Sequence, residues 1–105
     1  MIDTKSIAGY ITVLASLNGQ AKIPFYKGVN ILGRSSSKAT VVINELSISQ
    51  KHAKLIVTDH KMVIVDLDSK NGIGINNDVN LLERNKEFTI DESMIIYLAE
   101  AKCKF

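Results

Sequence analysis

Three short pieces of this chain carry side chains suited to one kind of chemistry: Gly33-Arg34, Ser49-Gln50-Lys51-His52 and Asn71-Gly72. Arg34 has a planar fork of donors that fits two oxygens of a phosphate. Ser49 can donate a neutral hydrogen bond to a further oxygen, and Asn71 has both a donor and an acceptor for the main chain of an extended peptide. Together they suit the binding of a phosphate and of the backbone that carries it. Each piece lies at the end of a short apolar run, so the three are expected on loops that converge on one anion-binding surface.

The order of the pieces also carries a resemblance. Gly33-Arg34, then Ser49-x-x-His52 fifteen residues after the arginine, then Asp66-Leu67-Asp68-Ser69-Lys70-Asn71-Gly72 after two strand-like runs, resembles the forkhead-associated (FHA) domain. The resemblance implies a phosphothreonine-dependent interaction module in which Arg34 and Ser49 bond the phosphate. Gln50 and Lys70 then reach the same ligand, Asn71 bonds its main chain, and Ser47 is a weaker candidate. By the same resemblance Gly33, His52 and Gly72 support the site, with the His52 ring tying the loops together from below. The family pattern continues with Thr after Asn-Gly, where this chain has Ile73.

The elements that must position these residues read as strands. Tyr10 to Leu14, Gln20 to Phe25, Val29 to Leu32 and Val41 to Ile43 precede His52 to Thr58, where Ala53, Leu55 and Val57 alternate with Lys54 and Ile56. Period-2 alternation is the mark of a half-buried strand. Met62 to Leu67, Ile73 to Ile75, Asn80 to Leu82, Glu87 to Ile90, Met94 to Ala99 and Lys102 to Phe105 follow. Asn18-Gly19 predicts a hairpin turn, and Pro24, lacking a ladder donor, predicts an edge strand. No window sustains a helical apolar period, so the expected fold is all-β: an antiparallel β-sandwich of about ten to eleven short strands.

Composition narrows the classes further. A chain of 105 residues, 46% hydrophobic, suits one domain with one core, expected to span 1–105 as a module of a larger protein. Its net charge of +2 and the lack of any basic run argue against nucleic acid as a direct partner. The apolar stretch from Ile7 to Leu17 is too short to cross a bilayer, and no membrane role is expected. One cysteine, Cys103, permits no internal disulfide. His52, His60 and Cys103 lack metal-ligand spacing, and no cofactor is expected.

Competing readings are a P-loop over Gly28 to Ser35, with Arg in place of Lys, and a hydrolytic triad of Ser49, His52 and Asp66. No helix is expected after the first, and no Gly-x-Ser-x-Gly elbow surrounds the second, so no catalysis is expected. A further alternative is an FHA-fold module acting in phosphate-independent homodimerisation through a sheet face. The opening Met1-Ile2-Asp3-Thr4 is similar to the N-terminal FHA modules of mediator of DNA damage checkpoint scaffolds, which implies a nuclear adaptor in the DNA-damage response. Phosphorylated Thr4 would then enter the site of a second copy.

Overall fold

Alternating apolar and polar positions become strands because one face of each must leave water while the other stays in it. The computed structural model describes residues 6–14 and 21–105. Within them ten strands form two five-stranded sheets, with no helix. The strands are β1 (Ile7–Leu14), β2 (Ala21–Tyr26), β3 (Gly28–Gly33), β4 (Val41–Val42), β5 (Ala53–Val57), β6 (Met62–Asp66), β7 (Ile73–Ile75), β8 (Glu87–Ile90), β9 (Ile96–Leu98) and β10 (Ala101–Lys104). One sheet has the order β2-β1-β10-β9-β7 and the other β4-β3-β5-β6-β8.

Pairing is antiparallel except between β3 and β4, which run parallel for two residues, Leu32 opposite Val41 and Gly33 opposite Val42. The inward positions of both sheets supply the core, in which Ile11, Leu32, Leu55, Ile64, Ile73, Ile96 and Leu98 are fully buried. Each such side chain contributes roughly 1.5–3 kcal/mol by leaving water. Pro24 lies in β2, at the sheet edge, where its missing N–H interrupts no ladder.

The strand expected near Asn80 to Leu82 is a loop: Leu82 N–H reaches Ile73 O at 2.9 Å, but Asn80 N–H turns to Asp78 Oδ1 at 2.9 Å instead of continuing a ladder. The Asn18-Gly19 turn lies outside the described residues, as does Thr4. The β1 and β2 pairing that the turn would join runs from Ile7 opposite Tyr26 to Val13 opposite Ala21.

Cys103 faces the core, and burial pushes its thiol up to about 12, with the nearby Glu45 charge adding to the shift and a hydrogen bond at Leu98 opposing it. In native protein at pH 8 Cys103 should therefore resist a thiol reagent, and react at once in denaturant, which a colorimetric thiol assay reads. The proton held in the fold implies stability that is undiminished below the ordinary thiol value of 9.0 and falls as pH rises from there toward about 12.

Candidate functional site

Strand β3 ends at Gly33, β5 begins after His52, and β6 leaves its sheet at Asp66 to cross to β7 in the other. Backbone and side-chain bonds hold the three intervening loops together. Arg34 N–H donates to Ser49 O at 3.0 Å and Ser35 N–H to Gln50 O at 3.3 Å. Lys70 N–H donates to Ser49 Oγ at 3.0 Å, and Asn71 Nδ2 to Ser47 O at 2.8 Å. The residues singled out in the sequence thus come from three loops into one cluster.

The Arg34 side chain is held by one end. Its Nε donates to Ile48 O at 3.0 Å, and no carboxylate of the described residues lies within ion-pair distance of the guanidinium. Asp68, a potential competitor, pairs with Arg84 at 3.9 Å. The two terminal nitrogens of Arg34 are therefore left with their fork of donors unspent. Ser49 Oγ already accepts from Lys70, so its own proton remains to donate outward. Gln50 Oε1 accepts from Lys38 Nζ at 2.9 Å, so its amide hydrogens are what it has for a ligand.

Underneath, His52 is completely buried and spends both ring nitrogens on backbone. Nδ1 accepts Ser49 N–H at 3.0 Å, so Nε2 carries the proton and donates to Gly72 O at 2.8 Å. His52 N–H also donates to Leu32 O at 2.8 Å, and its carbonyl accepts Leu67 N–H at 3.0 Å. One residue therefore ties the β4–β5 and β6–β7 loops to strand β3. The bonds also dissolve the triad reading, because the ring meets the backbone of Ser49 and not its hydroxyl, while Asp66 Oδ1 accepts Ser69 N–H at 2.8 Å. The P-loop reading fails on β3, which fills Gly28–Gly33 with strand.

Replacing His52 with alanine strands the Ser49 amide and removes the link to Gly72. A loss of about 2 kcal/mol is expected from the unsatisfied donor, seen as a melting temperature lower by roughly 10 °C.

Sequence reasoning missed the support beneath Asn71. Gly72 N–H donates to Ser69 Oγ at 3.0 Å, and Ser69 hangs from Asp66, both buried. The Asp-x-x-Ser spacing, suited to a side chain that bonds the backbone a few residues on, was the available signal. Asn71-Gly72 is not a type I′ turn, since only Gly72 has positive φ, at 80°, and the segment crosses between sheets. Ile73 is fully buried in β7, so the position serves the core. Ser47 adds a fourth connection, its Oγ accepting Glu100 N–H from the β9–β10 turn at 3.2 Å.

A family model described as the FHA domain matches residues 30–99. Among solved structures, the FHA domain of the CT664 protein from Chlamydia trachomatis is 29% identical, with TM-score 0.76, over 90% of this chain and 92% of that one. The yeast MEK1 FHA domain in complex with a HOP1 phosphothreonine peptide is 22% identical, with TM-score 0.68, over 94% and 95% of the two chains. Mycobacterium tuberculosis EmbR, in complex with a low-affinity phosphopeptide, is 18% identical, with TM-score 0.71, over 92% of this chain and 24% of that one. No curated protein matches the chain.

Proposed function

This chain belongs to the FHA domain family, and we propose that it is a phosphopeptide reader that holds a phosphothreonine of a partner protein at the ends of its three loops. The observation that carries this reading is the state of Arg34: a guanidinium braced through Nε on Ile48 O, with its outer fork unclaimed by any carboxylate of the described residues. That fork takes two phosphate oxygens, the Ser49 proton a third, and the Lys70 ammonium and the Gln50 amide add to the charge and bonding around it. Asn71, steadied by Ser47 O, keeps its Oδ1 and one amide hydrogen for the peptide main chain. Two relatives of the same fold, MEK1 and EmbR, were solved with phosphopeptides, which supports the reading.

Burying the threonine methyl adds only about 0.8 kcal/mol, roughly fourfold over phosphoserine, so stronger selection has to come from the hold on the ligand backbone. An aspartate in place of the phosphothreonine lacks the second charge and third oxygen. A phosphothreonine peptide library should yield binders whose aspartate versions fail; an aspartate peptide within threefold of its parent would refute the proposal. The narrower expectation, a nuclear adaptor in DNA-damage signalling, rests on Met1-Ile2-Asp3-Thr4 outside the described residues. The relatives are bacterial and yeast domains, so that expectation, the nuclear location and the Thr4 cross-link are not carried into the proposal.

A second reading has an observation of its own. The outer face of the β4-β3-β5-β6-β8 sheet presents Val29, 61% exposed, and Val42, 37% exposed, beside half-buried Ile31 and Ile56. That face suits phosphate-independent self-association. Sedimentation discriminates: a dimer indifferent to Arg34→Ala would favour it.

A further inference from the structure

We propose that the outer face of the β2-β1-β10-β9-β7 sheet is a second binding surface, for single-stranded nucleic acid. None of the residues in those five strands is an aspartate or glutamate. Because Ile11 and Val13 of β1, Ala101 and Cys103 of β10, and Ile96 and Leu98 of β9 point into the core, the alternate positions point out. These bring Tyr10, Lys22, Tyr97, Lys102 and Lys104 onto one face, all exposed except the half-buried Tyr97.

Registers place the cations beside rings. Lys22 and Lys104 lie on either side of Thr12, and Lys102 is directly opposite Tyr97. Lys22 Nζ sits 4.9 Å from the Tyr10 ring centre. Tyr97 lies beside Gly74, its register partner on β7. None of the three lysines has a carboxylate partner among the described residues.

A cation next to an aromatic ring, repeated across a flat sheet, matches a chain that alternates phosphates with planar bases. Successive outward lysines on β10 are about 7 Å apart, two strand residues, so one extended backbone can meet both. An acidic peptide would use the lysines and leave the rings idle. A lipid surface would need a cluster of protruding apolar side chains, and among the large ones in these five strands only Ile7, at the start of β1, is more than half-exposed. A duplex would need an element that enters a groove, which a flat face lacks. The sequence shows no basic run; the patch exists only because strands from both ends of the chain pair side by side.

The test is fluorescence anisotropy of a labelled, mixed-sequence single-stranded DNA 20-mer titrated with the intact chain at low salt. Binding is expected between about 1 and 100 μM, the range of sequence-independent contacts, with a log–log salt slope of about −2 for three lysines. Lys22→Glu combined with Lys102→Glu should weaken it at least tenfold while the variant's melting temperature stays within a few degrees of the parent. Tyr97→Ala should cost roughly tenfold, and Tyr97→Phe should restore binding, because the ring stacks without its hydroxyl. No anisotropy change at about 100 μM protein, or unaltered binding by the double lysine variant, would overturn the proposal. So would equal affinity for polyglutamate of the same length or for phosphatidylserine vesicles.

Discussion

Arg34→Ala should abolish phosphothreonine-peptide binding while leaving the fold in place. A charge-assisted hydrogen bond contributes roughly 1.5–3 kcal/mol, so a two-pronged contact supplies about 3–5 kcal/mol. Micromolar affinity amounts to about 8 kcal/mol in all, and the expected loss is several-hundredfold or more by calorimetry. The fold loses only the Nε bond to Ile48 O, at a half-buried position, so its melting temperature should move by only a few degrees. Arg34→Lys should recover little, since an ammonium cannot both brace on Ile48 and present a fork. A loss smaller than tenfold for the alanine variant would remove the residue from the centre of the site.

Gly33→Ala should produce the largest stability loss of a methyl added at any glycine among the described residues. A Cβ at Gly33 would run into Gln50 O and lie 2.7 Å from Gln50 C and 3.1 Å from Lys51 Cα, all backbone atoms that cannot rotate away. The β4–β5 loop would have to part from β3, taking Ser49 with it and breaking the bonds from Arg34 and Ser35. Overpacking of this kind is expected to cost about 3–5 kcal/mol, or a melting temperature roughly 15 °C lower or more, with phosphopeptide affinity lost in parallel. Gly28→Ala is the contrast: nothing lies within 4 Å of its added methyl, but φ is +92°, and only about 1 kcal/mol of backbone strain is expected. Thermal melts of the two variants that coincide would contradict the close-approach account.

The same two glycines show how far the sequence can be read. That Gly33 supports the site follows from its place before Arg34; that its reason is a carbonyl pressed against it, and not an unusual φ, depends on a loop seventeen residues away in the chain. Likewise Ser49 and His52 are marked by their spacing, but the division of labour between them is not. The ring takes the serine's amide and the hydroxyl takes the Lys70 amide, an arrangement that excludes the triad the same residues could spell. The motif marks Gln50 beside Ser49, but that its Oε1 is engaged by Lys38, an exposed lysine on the neighbouring loop, is something no motif points to.

Strand identity was a local matter, since a period of two in side-chain character requires only the chain's own neighbours; Ala53, Leu55 and Val57 could be sorted from Lys54 and Ile56 without knowing what they pack against. The Asn80 to Leu82 stretch has the side chains of a strand, but only Leu82 N–H reaches one, at Ile73 O, while Asn80 N–H turns back to Asp78 Oδ1, so no ladder forms. The three loop motifs, too, belong to the sequence, because donor chemistry travels with residue type. What tertiary structure alone decided is which surfaces those residues share. Pairing of β1 with β2 and β10 joins residues near the two ends of the chain, and with them a carboxylate-free basic face. Register is set by packing between distant segments, and no run of neighbouring letters encodes it.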